Sequence, residues 1–204
     1  MSKLVFDFGE GEPPMVGGSP AERREGARSS TLLRPAKLVV DDREFLCVVR
    51  NVSEGGLNLQ LFHALPEFEF LSIEFDNGEK RAIRRVWQSG EQIGCAFLYP
   101  LEDRSVVTAQ AGERPRRQPR LQVEHEAMLF AGDISAPIVL RDISQKGASI
   151  DAPHWLMIDE LVRIESATLP PIYAKVRWRR PPRYGLVFEQ VFGMAELAKL
   201  CSEI

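Results

Sequence analysis

Short apolar stretches recur along the chain, and polar or glycine-bearing turns separate them. Alternating apolar and polar positions in runs of this length are typical of β-strands. In the first half the predicted strands lie at residues 45–49, 57–61, 70–75, 83–87 and 93–97. In the second half they lie at residues 137–143, 148–151, 161–165, 173–178 and 185–190.

Three other segments have patterns of their own. Asp76-Asn77-Gly78 predicts a tight primed hairpin turn, because Asn and Gly both tolerate positive φ. Residues 195–204 predict a helix with Leu197, Leu200 and Ile204 on one face, and residues 101–110 predict a shorter helix. Residues 1–22 hold four glycines and three prolines with little periodicity, which predicts a flexible tail.

The chain contains an internal repeat. VVRNVSEGGLNL at residues 48–59 matches VLRDISQKGASI at residues 139–150, with Ser53 and Ser144 lying 144 − 53 = 91 positions apart. Collinear landmarks at one spacing predict two copies of a single fold. The same spacing pairs Trp87 with Trp178, Gly94 with Gly185 and Phe97 with Phe188, and we interpret the tryptophans as core or barrel-rim aromatics.

Five or more short strands in each copy predict a small closed barrel. We therefore expect a flexible tail over residues 1–22, a first domain over 23–110 and a second domain over 111–204. The second domain includes an arginine-rich arm between the barrels and the C-terminal helix.

Composition excludes several classes of protein. The net charge of −3 over 204 residues argues against a general nucleic-acid binder, so we expect no DNA partner. The sequence has neither an apolar run long enough to cross a bilayer nor a signal-peptide pattern, so we expect a cytoplasmic protein without membrane insertion. Three scattered cysteines predict buried reduced thiols: Cys47, Cys95 and Cys201.

Catalytic and metal-binding patterns are missing from the sequence. The three histidines lie far apart, the acidic pairs fit turns and helix starts, and there is no phosphate loop or nucleophile elbow. We therefore expect a protein that is not an enzyme and that has no metal site and no cofactor. The histidines are His63, His125 and His154, and the acidic pairs are Asp41-Asp42 and Glu102-Asp103.

Two polar motifs occur in order in each copy. The first is Arg-x-x-x-Arg ahead of the barrel, at Arg24 and Arg28 and again at Arg116 and Arg120. The second is [Asp/Asn]-x-Ser-x-x-Gly at an early turn, at Asn51, Ser53 and Gly56 and again at Asp142, Ser144 and Gly147. A chain with both motifs ahead of a barrel pattern resembles the PilZ family.

This resemblance implies an all-β fold of two tandem six-stranded PilZ-like barrels, each with a short accessory helix. It also implies that the ten motif residues bind cyclic di-GMP, a ligand with two guanines and two phosphates. The residue types suit that ligand, because guanidinium can bond guanine or phosphate in a planar fork and Asp or Asn can accept from guanine N–H groups. Serine can bond phosphate or fix the turn, and glycine permits close backbone approach.

The second copy is the better candidate site. Four arginines and one glutamate lie within residues 113–120, and Lys146 lies inside the second turn, whereas Glu25 and Glu54 lie in the first copy's motifs. Pro119 disfavours a helix in the second arm, so its two arginines are expected about 13 Å apart on an extended strand.

The expected function is a cyclic di-GMP-binding effector that changes its interdomain arrangement and regulates a downstream protein partner. The alternative is a ligand-independent PilZ-like adaptor that docks to another protein. An RNA or single-strand DNA binder using the arginine arms is disfavoured by the acidic balance of the chain.

Overall fold

The structure is a computed structural model that describes residues 30–41, 43–68, 70–101 and 118–202. The first six strands are β1 (Ser30–Val40), β2 (Arg43–Val52), β3 (Gly56–Leu61), β4 (Leu71–Glu74), β5 (Lys80–Ser89) and β6 (Gln92–Phe97). The next six are β7 (Leu121–Ala131), β8 (Ile134–Ser144), β9 (Gly147–Asp151), β10 (Leu161–Glu165), β11 (Ile172–Arg180) and β12 (Arg183–Phe188). One helix, α1, covers Met194–Ser202.

The strands close into two antiparallel barrels, which confirms the predicted fold class. The strand order is β1-β2-β3-β6-β5-β4 in the first barrel and β7-β8-β9-β12-β11-β10 in the second. In each barrel the first and fourth strands pair and complete the ring. The two barrels therefore share one topology, as the internal repeat predicts.

Alternation along the strands sends apolar side chains inward to fill each barrel. Fully buried residues form the two cores, and they include Leu38, Leu59, Ile73 and Ile93 in the first barrel and Leu129, Leu140, Ile150 and Ile164 in the second. Each core is contiguous, so each barrel buries its own apolar surface.

The cysteines are free thiols, as predicted. Cys47 and Cys95 are buried in the first core, and Cys201 on α1 is half-buried. Burial raises the pKa of Cys47 well above its usual value, and it raises the pKa of Cys95 and of Cys201 to about 12.

Bulges interrupt the ladders at equivalent places in the two barrels. Register shifts lie just before Asn51 and Asp142, and also just before Trp87 and Trp178. A bulge bends its strand and re-aims the next side chain. The residues that follow these bulges line one outer side of each barrel, where the repeated motif lies.

The strand prediction missed two elements and one turn type. β1 and β7 open the two barrels but are absent from the predicted stretches. The hairpin at 76–78 is confirmed, but its turn is not a primed one: Gly78 N donates to Phe75 O at 2.9 Å, and Gly78 alone takes a left-handed φ of 85°. This is the three-residue loop in which glycine supplies the left-handed position.

Helix α1 confirms the C-terminal prediction over most of its length. Leu197 and Ala198 are buried in the second core, and Leu200 packs against it. Within the described ranges, no helix has the length and apolar character needed to cross a bilayer. The predicted tail at 1–22, nearly all of the predicted helix at 101–110, and Ile204 lie outside the described residues.

The barrels contact each other through β2. Leu46 points outward from the first barrel and is only 1% exposed, because it joins the apolar cluster of the second barrel. Phe62 packs against the same cluster, and helix α1 contacts β2. The outer face of β2 therefore forms an apolar contact surface for the second barrel.

Candidate ligand-binding site

The serine of each turn motif holds its own turn together. Ser144 is buried, and its hydroxyl donates to Gly147 O at 3.0 Å. In the first barrel, Ser53 Oγ donates to Gly56 O at 3.1 Å. Both hydroxyls therefore fix their own turns, which is one of the two roles predicted for this serine.

The motif glycines are required by strand packing. A Cβ at Gly147 would lie 2.2 Å from Leu186 O, and a Cβ at Gly56 would lie 2.2 Å from Cys95 O. These oxygens belong to the neighbouring strand of the barrel wall. The space that glycine leaves is filled by protein backbone, so a side chain at either position would clash with the barrel wall.

Asp142 is the polar centre of the second turn. Its Oδ2 accepts from Ser149 Oγ at 2.6 Å and its Oδ1 accepts from Ser149 N at 3.1 Å. Ser149 lies opposite Asp142 on β9 and is 2% exposed. The carboxylate is therefore held in one orientation at the surface of the barrel.

Arg120 of the arm reaches this carboxylate. The Arg120 Nη1 donates to Asp142 Oδ1, and the guanidinium remains about half exposed. Residues 118–120 have no regular secondary structure and lead directly into β7, in agreement with the non-helical arm predicted from Pro119. The structure thus brings together one arginine of the Arg-x-x-x-Arg motif and the acidic residue of the turn motif, while Arg24, Arg28 and Arg116 lie outside the described residues.

Trp178 is not a core aromatic, which corrects one half of the predicted core or barrel-rim role. It lies on the outer face opposite Gly185 and is 42% exposed. A Cβ at Gly185 would meet Trp178 Nε1 at 1.9 Å, so the indole lies flat over the glycine. Trp87 and Gly94 repeat this arrangement in the first barrel. The repeated Trp and Gly spacing was the available signal.

A cavity of about 1030 Å³ lies between the two barrels beside the second turn. The second barrel supplies Arg120, Ser144, Lys146, Arg177 and Trp178 to its walls, and the first barrel supplies Lys37 and the hairpin from Glu74 to Gly78. Four of these side chains are cationic and two, Glu74 and Asp76, are anionic. The cavity therefore combines a positive lining with one exposed aromatic face.

The sequence model of the PilZ domain matches residues 22–110 and again residues 114–201. The chain belongs to the PilZ domain family. Comparison with curated proteins gave no significant match.

Several solved structures resemble the tandem PilZ chain at low identity. Borreliella burgdorferi PlzA in complex with c-di-GMP is 11% identical, with 90% of this chain and 95% of that chain covered and a TM-score of 0.36. Bacillus subtilis MotI/DgrA, an inhibitor of motility, is 12% identical with 85% and 97% covered and a TM-score of 0.35. Escherichia coli YcgR in complex with c-di-GMP is 13% identical with 81% and 80% covered and a TM-score of 0.31.

An ion-paired cluster borders the turn of the second PilZ domain. Asp151 accepts from Arg183 Nε at 2.8 Å and from Arg141 Nε at 2.7 Å. The hydrogen bonds from Arg183 and Arg141 lower the pKa of Asp151 against the opposing effect of its burial. These two arginines form ion pairs with protein carboxylates, whereas the cavity-lining Arg177 has no carboxylate partner among the described residues.

The first PilZ domain has a similar turn with fewer polar contacts. Asn51 lies opposite Asn58, where the second domain has Asp142 opposite Ser149. Asn58 Oδ1 is buried and has no hydrogen-bond partner within the described part of the chain. The cavity here is about 580 Å³ and includes Trp87. This turn therefore has an amide where the second domain has the Asp142 carboxylate, and nothing among its described residues corresponds to the hydrogen bonds between Asp142 and Ser149.

The histidines do not converge on a metal site. His125 Nε2 lies 2.9 Å from Ser166 Oγ, and His63 Nδ1 lies 2.9 Å from the carbonyl oxygen of Ala64. Across the described ranges, no three side chains of His, Cys, Asp or Glu are grouped to hold a metal ion.

Proposed function

We propose that the protein is a cyclic di-GMP receptor and that its second PilZ domain carries the binding site. The observation that supports this most is the ion pair between Arg120 and Asp142 at the edge of the cavity between the barrels. It joins the arm motif to the turn motif, and the resemblance to the PilZ family assigns cyclic di-GMP to these two motifs together.

The side chains around the cavity match the two halves of the ligand. Arg120, Lys146 and Arg177 supply positive charge for two phosphates. Arg120 is also able to bond guanine O6 and N7 in a planar fork. Trp178 presents an exposed ring for a base to stack on, a contact that each base can make through its π face. A volume of about 1030 Å³ is at the upper end of ordinary ligand cavities.

Binding exchanges one set of polar partners for another. Without ligand, Asp142 neutralises Arg120 and so keeps its guanidinium beside the turn. With ligand, the guanidinium contacts guanine or phosphate, and the carboxylate accepts from guanine N–H groups. Arg116, four residues earlier on the same arm, is proposed as the second arginine of the site. In the first domain Arg24, Arg28, Asn51, Ser53 and Gly56 form the corresponding, weaker candidate site.

The cavity also suggests how binding becomes a signal. Its walls come from both barrels, so an occupant contacts both and changes the preferred interdomain arrangement. Ligand contacts with Arg116 and Arg120 would link the arm to the occupant of the cavity and present a new surface to a downstream protein partner. Small-angle scattering with and without ligand tests this step, and unchanged interdomain dimensions at saturation would contradict it.

Isothermal titration with cyclic di-GMP tests the receptor assignment. We expect the wild type to bind and Arg120→Ala to weaken binding by roughly 10- to 100-fold, the loss expected for a charged hydrogen-bonding partner. Arg84→Ala is the matched control, because Arg84 is exposed on β5 away from the cavity. A wild type that gives no binding heat would instead indicate a ligand-independent adaptor.

A further inference from the structure

A buried ion pair lies on the face of the first barrel that meets the second. Lys37 Nζ lies 2.8 Å from Glu44 Oε1 and 3.2 Å from Glu74 Oε2. The side chain of Lys37 is 9% exposed and that of Glu44 is 15% exposed. Lys37 lies directly opposite Leu46 on β2 and opposite Glu74 on β4, so the charges border the apolar contact between the barrels.

Both members of this pair also bond the backbone of the arm. Lys37 Nζ donates to Arg120 O at 3.4 Å, and Gln122 N donates to Glu44 Oε2 at 2.7 Å. These two contacts lie on either side of Leu121, whose side chain is fully buried in the second barrel. The first barrel therefore holds the arm just before and just after its anchor residue.

The held segment is the one that aims the arginine. Gln122 lies opposite Asp142 across the β7–β8 ladder, and Arg120 directly precedes β7. The Arg120 guanidinium contacts the same Asp142 carboxylate. Fixing the backbone at Arg120 and Gln122 thus places the Arg120 guanidinium on the side where Asp142 and the cavity lie.

We infer that Lys37 and Glu44 are positioning residues that hold Arg120 for ligand binding and so make the affinity of the second PilZ domain depend on docking of the first. This inference rests on the proposed function. Neither residue belongs to either motif, and both act through backbone groups of a different domain.

The electrostatics of the pair fit this role. Burial opposes the charge on Lys37, but hydrogen bonds and attraction to Glu44 and Glu74 outweigh it and raise the pKa of Lys37. The ammonium therefore stays charged at neutral pH. Replacing Glu44 removes the acceptor of Gln122 N–H and leaves Lys37 with Glu74 alone, and replacing Lys37 removes the donor to Arg120 O and leaves two carboxylates without their shared cation.

Titration of cyclic di-GMP into the full chain tests the inference with four variants. We expect Glu44→Ala and Lys37→Met to weaken binding roughly tenfold, a usual size for coupling between sites. The charge-swapped double variant Lys37→Glu with Glu44→Lys restores an ion pair between the two positions, but it places a cation against Gln122 N–H and a carboxylate against Arg120 O and beside Glu74. We expect it to regain part of the thermal stability that the single variants lose, without regaining affinity.

Glu165→Gln is the matched control, because it breaks an ion pair with Arg163 on β10, away from the arm. We expect it to bind like the wild type. If the charge-swapped variant recovers affinity together with stability, the pair is only a structural salt bridge and the inference is wrong. If the wild type binds and the single variants bind equally well, the inference is also wrong, while the receptor assignment stands.

Amide hydrogen exchange of the ligand-free protein supplies an independent readout. We expect Glu44→Ala and the charge-swapped variant to speed exchange over residues 118–122, and Glu165→Gln to leave it unchanged. Weaker binding with unchanged exchange would mean that Lys37 and Glu44 contact the ligand directly, which overturns the positioning role. A wild type that does not bind would overturn the proposed function, and with it the inference.

Discussion

Trp178 lies over Gly185 on the outer face of the second barrel, with its Nε1 1.9 Å from where a Cβ on that glycine would stand. The indole therefore packs directly on Gly185, and any side chain at position 185 must displace the indole. Since the exposed ring lines the cavity, the position of Trp178 affects both the surface of the barrel and the proposed site.

Gly185→Ala is expected to push the Trp178 ring off the barrel wall. Loss of one stacking contact with a base costs about 1–3 kcal/mol, so the affinity for cyclic di-GMP should fall at least several-fold by isothermal titration. Gly94→Ala makes the same change under Trp87 in the first barrel and should leave the affinity unchanged. Equal losses in the two variants would show that the packing of Trp178 on Gly185 has no special role in binding.

Gly147→Ala is expected to destabilise the fold. The added methyl group would lie 2.2 Å from Leu186 O and would force β9 and β12 apart. Overpacking of this kind costs about 1–3 kcal/mol in the free energy of unfolding, which urea denaturation will measure. At Gly55 an added methyl group meets nothing within 4 Å, so Gly55→Ala serves as the control. Matching unfolding midpoints for both variants would contradict the role in barrel closure.

Leu46→Ala tests the contact between the barrels. Leu46 is outside its own barrel core and buried in the apolar cluster of the second barrel. Truncation of a buried leucine costs about 2–5 kcal/mol, and here we expect the loss to appear as separation of the barrels before either one unfolds. Scattering in dilute urea measures this. Leu98→Ala, at a residue that is 52% exposed, should show no such separation, and identical profiles would refute the expectation.

The native thiols should react far more slowly with a thiol reagent than a free cysteine standard does, both at about pH 7 and at about pH 9, because the thiolate is the reactive form. Burial raises the pKa of Cys95 and of Cys201 to about 12 and holds that of Cys47 higher still, so few thiolates form in this range. In urea all three thiols should react at the rate of a free cysteine standard at each pH. A native rate that follows the same standard would contradict the burial of these residues.

Much of the fold could be predicted from the sequence, because the internal repeat gives the same strand pattern in both halves of the chain. Ser53 and Ser144 bond their turns alike, and the bulges before Trp87 and Trp178 recur at the same spacing. The strands β1 and β7 were missed because each begins shortly after an Arg-x-x-x-Arg motif and has polar residues along its length that interrupt the apolar pattern. Arg34 in β1 is an example. Only pairing with neighbouring strands on both sides identifies them.

The site was harder to predict than the fold. The motif residues Ser144 and Gly147 have polar and steric partners within the protein, which the spacing of the motif cannot show. Lys37 and Glu44 could not be predicted at all. Their contacts with the arm depend on how two separately folded barrels dock, and no local pattern in either strand encodes that arrangement.

The indole N–H groups of Trp87 and Trp178, two of the three tryptophans, offer an internal comparison of the two PilZ domains. Trp87 and Trp178 occupy equivalent positions, and each has its own N–H resonance in a proton–nitrogen correlation spectrum. We predict that titration with cyclic di-GMP shifts the Trp178 resonance strongly and the Trp87 resonance little. A spectrum in which neither resonance moves, or in which Trp87 alone moves, would contradict ligand binding at the second domain.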